Sequence, residues 1–401
     1  MLIVHKYGGT SVGSLDRIEN VAMRVARARR EGNDIVVVVS AMSGETNKLI
    51  EYANHFSKTP AKREMDILLS SGERVTAALL SIALQEMGLD AIAMTGRQAG
   101  IRTDSHHTFA RIESIDTTAM RRELDEGRVV IVAGFQGVND AQQVTTLGRG
   151  GSDLSAVAIA GALGADACEI YSDVDGVYTT DPRIEPKARK MDFISYDEML
   201  ELASLGAKVL QSRSVELAKK LSVKIVAKSS FSEDKGTVIS KEDDEMEEVL
   251  VSGIALDKNQ ARVTLRQVAD RPGIAAEIFS ALANEQINVD MIIQNASSDG
   301  TTNLGFTIPQ SELERAKEVL AGFDKEFGSA DYDENVCKVS VVGVGMKSHS
   351  GVAAKAFSAM AENNINIEMI STSEIKVSMI IDQKYGELAV RTLHGVYELD
   401  R

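Results

Sequence analysis

The chain of 401 residues has two cysteines, Cys168 and Cys337, five prolines, no tryptophan and only 4% aromatic residues. The two cysteines lie far apart and match no metal-ligand spacing, so they read as reduced thiols in apolar surroundings, not as a disulfide framework. Basic residues are in the minority, 44 Lys and Arg against 59 Asp and Glu, for a formal charge of −15. That balance argues against a nucleic-acid surface, which needs a basic stripe, but it leaves room for a local basic pocket. The longest aliphatic runs, such as Ile35–Val39, are too short to cross a bilayer, and no signal-peptide pattern opens the chain. The expectation is a cytoplasmic protein without a membrane partner. What remains, 44% hydrophobic and 26% charged residues, is ordinary for a soluble globular chain long enough for two or three domains.

Residues 6–14, Lys-Tyr-Gly-Gly-Thr-Ser-Val-Gly-Ser, follow the apolar Leu2-Ile3-Val4 and precede a helical pattern. Adjacent glycines, Gly8 and Gly9, let backbone N–H groups approach an anion without a Cβ in the way, and the following helix start adds a positive dipole end. Lys6 supplies a mobile charge beside them. The segment is neither a Gly-x-x-x-x-Gly-Lys phosphate loop nor a Gly-x-Gly-x-x-Gly fingerprint, because the lysine precedes the glycines.

The first 240 residues alternate β-rich runs with helical patterns. Ile35–Val39, Val129–Ala133 and Val223–Ala227 read as buried strands. Ile18, Val21, Ala22 and Val25 fall at helical spacing behind a cap at Ser14 or Asp16. The expected fold is an α/β three-layer sandwich on a mainly parallel sheet. Residues 241–248 then carry six acidic side chains in eight and read as a solvated linker. Beyond it the chain repeats itself: residues 273–293 and 351–371 align without a gap at 11 of 21 positions. Each copy predicts a helix (Ala275–Ala283, Ala353–Ala361) and a strand beginning Ile-Asn, so the tail holds two small α+β modules.

Four further stretches carry chemistry. Ser40–Asn47 follows the second strand and belongs at the carboxyl edge, where open α/β sheets bind ligands. Ser70-Ser-Gly-Glu73 opens a helix and offers a carboxylate to an ammonium; a capped helix start is the competing account. Gly148-Arg-Gly-Gly-Ser-Asp153 runs into the helix Leu154–Leu163. Arg149 there suits a carboxylate, and Asp153 suits a lysine amine. Ser172–Arg183 is turn-rich, and Tyr178 and Arg183 suit a purine nucleotide or, equally, a surface hairpin. The pair His106-His107 reads as an exposed loop.

Taken together these blocks resemble the aspartate kinases of the amino acid kinase family, over the whole chain. Lys6–Val12 is similar to their opening signature. Ser40–Asn47, Ser71–Glu73, Gly134–Gly137, Gly148–Asp153, Ser172–Arg183 and Gly206–Leu210 follow in the family's order, and the repeated tail resembles its two ferredoxin-like ACT modules. One departure is Gln211-Ser212 where many relatives have His-Pro, so no contact is assigned beyond Leu210. The resemblance implies transfer of the ATP γ-phosphoryl group to the β-carboxylate of L-aspartate, with Mg²⁺ arriving on the nucleotide and no protein metal site. It implies catalytic roles for Lys6 and Asp153, and substrate contacts at Thr46, Glu73, Phe135, Arg149 and Ser152. Nucleotide contacts fall to Lys6, Gly8, Gly9, Ser40, Ser172, Asp173, Tyr178, Arg183, Lys208 and Val209.

For the tail it implies lysine, threonine or both as inhibitors. Asp270, Ile274, Ala275, Gln294, Met346, Ala353, Asn366 and Ile367 are the regulatory residues. It implies a catalytic domain over 1–240 and paired modules over 249–401, with 261–335 inserted between 249–256 and 336–401. A homo-oligomer joined through these modules is expected, as is a tail-only subunit started at Met246. Two rival readings are a kinase for another amino acid, such as glutamate, and a non-catalytic amino-acid sensor.

Overall fold

The computed structural model describes residues 1–204, 209–241, 251–295, 300–344, 346 and 351–401. Met246 and Lys208 lie outside the described residues. The chain forms two compact units. One is built from Met1–Val177, Lys190–Ser204 and the described residues from 209 to 241; the other from Tyr178–Arg189 and the described residues from 251 onward.

The first unit contains, in order, β1 (Leu2–Tyr7), α1 (Leu15–Arg30), β2 (Asp34–Val39), α2 (Glu45–Phe56), α3 (Lys62–Leu69), α4 (Ser71–Glu86), β3 (Ala91–Met94), β4 (Ile101–Thr103) and β5 (Ile112–Ile115). Next come α5 (Thr118–Asp125), β6 (Val129–Ala133), β7 (Gln136–Val138), β8 (Val144–Thr146), α6 (Gly151–Leu163) and β9 (Ala167–Ser172). The unit closes with β10 (Phe193–Ser195), α7 (Tyr196–Ser204), α8 (Ser212–Leu221), β11 (Ile225–Ser229) and β12 (Thr237–Ser240). Eight strands form one sheet in the order β10-β12-β11-β9-β1-β2-β6-β3, and every neighbouring pair is parallel except β11–β12. A four-stranded sheet, β5-β4-β7-β8, stands beside it.

β2 is buried from Ile35 to Val39 because α1 and α4 cover one face of the large sheet while α6 covers the other. In α1, Ile18, Val21, Ala22, Val25 and Ala26 make the buried stripe, and of the two expected caps Ser14 is the one used, its Oγ accepting from Arg17 N at 3.3 Å. Lys62–Glu86 is, among the described residues, the one helical stretch long and apolar enough to cross a membrane. Its Leu69, Ala77, Leu80 and Leu84 are buried within this unit.

The second unit holds β13 (Gly253–Ala269), α9 (Ile274–Asn284), β14 (Ile292–Asn295), β15 (Thr301–Ile308), α10 (Leu313–Ala321), β16 (Ser329–Val342), α11 (Val352–Glu362), β17 (Met369–Thr372), β18 (Lys376–Asp382) and α12 (Gly386–Val396). Its six strands form an antiparallel sheet in the order β14-β15-β13-β16-β18-β17. The repeat shows as two cores: Ile274, Ile278 and Leu282 pack with Val263, Leu265 and Phe306, while Val352, Ala356 and Met360 pack with Ile254, Val339 and Met379. The two halves of β13 thus serve different cores, and the strand is irregular between Asp257 and Arg262 where one gives way to the other.

The strands that follow the repeated helices start later than the sequence pattern predicts. Ile287 N closes on Leu282 O at 3.0 Å and Ile365 N on Met360 O at 2.9 Å, so each Ile-Asn belongs to the helix exit, with Gln286 and Asn364 left-handed (φ 59° and 55°). Tyr178–Arg189 also belongs here: Thr179 O accepts from Ile254 N at 2.7 Å, Thr179 Oγ1 is 3.0 Å from His394 Nε2, and Ile184 packs on the second core.

Candidate active site

β1 alternates its side chains across the large sheet, so Lys6 faces α6 whereas His5 and Tyr7 face α1. At the first turn of α6, Asp153 meets it: Lys6 Nζ lies 2.5 Å from Asp153 Oδ1, and both side chains are about nine-tenths buried, at 10% and 11% exposure. The ammonium also lies over Gly8, where a Cβ would sit 3.3 Å from Nζ. Gly8 does not offer its amide to a phosphate. Its N–H donates to Tyr171 O at 3.1 Å, continuing the β1–β9 pairing, and of this glycine pair it is Gly9 that lines the cavity.

That cavity, of about 350 Å³, opens at the carboxyl edge of β1 and β2. Lys6, Ser40, Thr46, Glu73, Phe135, Arg149, Ser152 and Asp153 all line it, so the structure brings these sequence-predicted residues together. Glu73 sits in the first turn of α4 with 4% exposure. Its Oε1 accepts from Ala41 N at 3.2 Å, and its buried Oε2 has no partner among the described residues. Loss of solvent pushes its carboxyl up to about 7, against the pull of the Ala41 N–H and of Arg74. Gly72 makes this approach possible, because a Cβ there would come within 2.7 Å of Ala41 Cβ.

The opposite wall is the glycine-rich turn. Gly148 and Gly150 both take positive φ (76° and 73°), a conformation that favours glycine, and they carry Arg149 outward with no hydrogen bond or ion pair to the described residues. Phe135, itself left-handed at φ 68°, is held by its N–H to Ser155 Oγ at 3.1 Å.

Two features were not foreseen. Gln211 lines the cavity, although the sequence reading assigned no contact beyond Leu210; a Cβ on Gly150 would fall 2.2 Å from its Cγ. Asp66, fully buried on α3, accepts from Thr146 Oγ1 at 2.5 Å and Thr108 N at 3.0 Å, with His107 Nδ1 at 2.6 Å. It ties α3 to the end of β8, immediately before the glycine-rich turn. His106 is exposed as expected, but His107 is only 17% exposed and paired, so the two histidines are not one exposed loop pair. The only sequence signal for Asp66 was an acidic residue on an apolar helix.

The nucleotide candidates are dispersed. Ser172 ends β9 and Asp173 is exposed beyond it; Val209 also lies in the first unit, whereas Tyr178 and Arg183 belong to the second. The Arg183 guanidinium is engaged by Asp181, at 2.9 and 2.7 Å. Among the regulatory candidates, Asp270 and Gln294 are exposed, Ile274 and Ala275 open α9, and Met346, Ala353 and Ile367 share the second core with Asn366 exposed beside them.

The model of the amino acid kinase family matches residues 1–227, and that of an ACT domain matches 266–322 and 339–397. An aspartokinase of Helicobacter pylori strain J99 is 61% identical, with all of both chains covered. The chain belongs to the aspartokinases. As an aspartate kinase it is also similar to the Pseudomonas aeruginosa aspartokinase, 53% identical over all of this chain and 98% of that one. Among solved structures, Synechocystis aspartate kinase superposes with a TM-score of 0.57 at 43% identity, over 99% of this chain and 70% of that one. Escherichia coli aspartokinase III, solved in complex with aspartate and ADP, superposes at 0.80 with 25% identity over 99% of both chains.

Proposed function

We propose that this aspartokinase transfers the γ-phosphoryl group of ATP to the β-carboxylate of L-aspartate, giving 4-phospho-L-aspartate and ADP. The observation that carries the reading is the pairing of opposite charges in one cavity. The free Oε2 of Glu73 suits the α-ammonium of an amino acid, and the unpaired Arg149 suits its α-carboxylate. An amino acid so held leaves its side-chain carboxylate for Lys6, with Thr46, Phe135 and Ser152 shaping the space around it. One carboxylate oxygen attacks the γ-phosphorus, and the bond to the β–γ bridging oxygen breaks as ADP leaves. The nucleophile carries no proton, so no general base is needed; Asp153 acts by orienting Lys6, which neutralises charge on the transferring group.

Ser40, Gly8, Gly9, Ser172, Asp173, Tyr178, Arg183, Lys208 and Val209 are assigned to the nucleotide, Gly8 through close backbone approach, not its amide. Among the described residues no cluster of His, Cys, Asp and Glu has the arrangement of a metal site. Mg²⁺ enters with ATP as substrate, held by phosphate oxygens and water. In the tail, Asp270 and Gln294 are assigned to an effector amino acid. E. coli aspartokinase III, 26% identical, was also solved in complex with lysine and aspartate, which supports lysine as the inhibitor here; threonine, alone or with lysine, is assigned from the family resemblance. Assembly as a homo-oligomer through the paired modules, and with a subunit comprising the tail alone, completes the reading.

The test is ADP release in a coupled assay with aspartate and, separately, glutamate. Turnover with aspartate at least about tenfold above glutamate is expected, since one extra methylene in a shaped pocket discriminates by about that much. Preference for glutamate would assign the chain to another amino acid kinase, and no turnover with either would favour a sensor.

A further inference from the structure

The candidate catalytic cavity lies at the carboxyl edge of the large sheet and draws on α4 from one face and α6 from the other. Beside α1 lies a second cavity, of about 470 Å³, that shares no lining residue with the first. Three arginines of one helix line this cavity, Arg17, Arg24 and Arg27, together with Ser11 and the turn after β11 that bears Phe231 and Glu233. Each guanidinium has five N–H donors, and most are unspent. Arg17 gives Nη1 to Thr10 O at 2.7 Å, Arg24 gives Nη2 to Ser232 O at 2.9 Å, and Arg27 gives Nη2 to Glu233 at 2.7 Å.

Glu233 is the carboxylate among the lining residues and is 67% exposed, sharing its charge between Arg24 and Arg27. Glu169 lies outside the lining and is committed to Lys228 at 2.7 Å, to the Tyr171 hydroxyl at 2.6 Å and to His5 at 3.4 Å. The cavity therefore carries excess positive charge in a chain of net −15. Guanidinium forks match phosphate oxygens, and the volume exceeds that of a single phosphate. Phe231, 55% exposed with Arg17 5.2 Å from its ring centre, adds a flat apolar rim.

We propose that this cavity is a second anion site, which takes a small molecule bearing a di- or triphosphate group and is separate from the catalytic cavity. It adjoins the Gly8–Gly13 loop from behind, because Arg17 holds the Thr10 carbonyl and Ser11 Oγ bonds Ser230 Oγ. Its occupant would thus brace the loop that carries Gly9.

Calorimetric titration of pyrophosphate into the full-length enzyme tests this. Arg27→Ala should weaken one binding event about tenfold by removing a charged donor, and Glu233→Gln should tighten it severalfold by removing the competing carboxylate. Both side chains are more than half exposed (52% and 67%), so neither change disturbs the core. KM for MgATP should stay within about twofold in both variants if this site is distinct from the catalytic one. The proposal is overturned if pyrophosphate does not bind at millimolar concentration, if both variants bind it as wild type does, or if KM for MgATP follows the pyrophosphate affinity.

Discussion

Glu73 and Lys6 show how burial sets the behaviour of single residues. With its carboxyl pushed up to about 7, Glu73 is largely protonated below that pH and charged above it. A protonated carboxyl is a poor partner for an ammonium, so kcat/KM for aspartate should rise with pH, about tenfold per unit below 7, and level off above it. Glu73→Gln should remove this ascending limb in a pH–rate profile; an unchanged limb would assign the titration to another group. Lys6 and Asp153 form an ion pair across the β1–α6 contact, and the proposed mechanism makes them one unit. Lys6→Ala should lower kcat about 10³-fold, in the range for losing a preorganised charge. On the proposal that Asp153 works through Lys6, adding Asp153→Asn should cost little more, whereas fully additive losses in the cycle would separate the two roles.

At the scale of elements, the site depends on how α6 begins. Gly150 and Gly164 cap the two ends of this helix, both left-handed, with φ of 73° and 63°. Alanine at either position should cost about 1 kcal/mol of stability for the backbone conformation alone. The surroundings differ. A Cβ on Gly150 would overlap Gln211 at 2.2 Å, while nothing lies within 4 Å of one on Gly164. Gly150→Ala should therefore displace the turn bearing Arg149 and raise KM for aspartate about tenfold or more, as loss of a charge-assisted contact does. Gly164→Ala should lower the melting temperature by a similar amount and leave the kinetics alone. Steady-state kinetics and thermal denaturation of the pair separate site geometry from general stability. Asp66 belongs to the same scale, since it anchors the strand that delivers this turn.

For the whole molecule, control by an effector requires tighter binding to an inactive arrangement than to the active one, by about 1–3 kcal/mol in typical couplings. Lysine and threonine, added singly and together, should inhibit the wild-type enzyme. Asp270→Ala and Gln294→Ala should shift the inhibition curve to higher concentration while uninhibited turnover stays nearly constant. A wild-type enzyme indifferent to both amino acids in every combination would remove the effector assignment without touching the kinase reading. Tyr178–Arg189, which folds with the second unit through Thr179 and Ile184, is a segment to watch in such titrations, because it also carries two nucleotide candidates.

The family resemblance added Thr46, Phe135 and Ser152 to the residues that line the candidate cavity. The sequence by itself determined the α/β class, the buried strands at Ile35–Val39 and Val129–Ala133, the capped α1 and the repeated helices. These rest on local rules: continuous β-branched runs, helical spacing, glycines where a chain must turn tightly, and a repeat visible in the letters. Only the tertiary structure decided the rest. It spent the Gly8 amide on Tyr171, buried His107 against Asp66, drew Gln211 onto Gly150, started two strands later than their Ile-Asn signals, and placed Tyr178–Arg189 with the second unit. Each of these depends on a partner far along the chain or on the way a helix ends. Hydrogen bonds and close packing are satisfied in space, and no periodicity within a short stretch of sequence records which distant group will satisfy them.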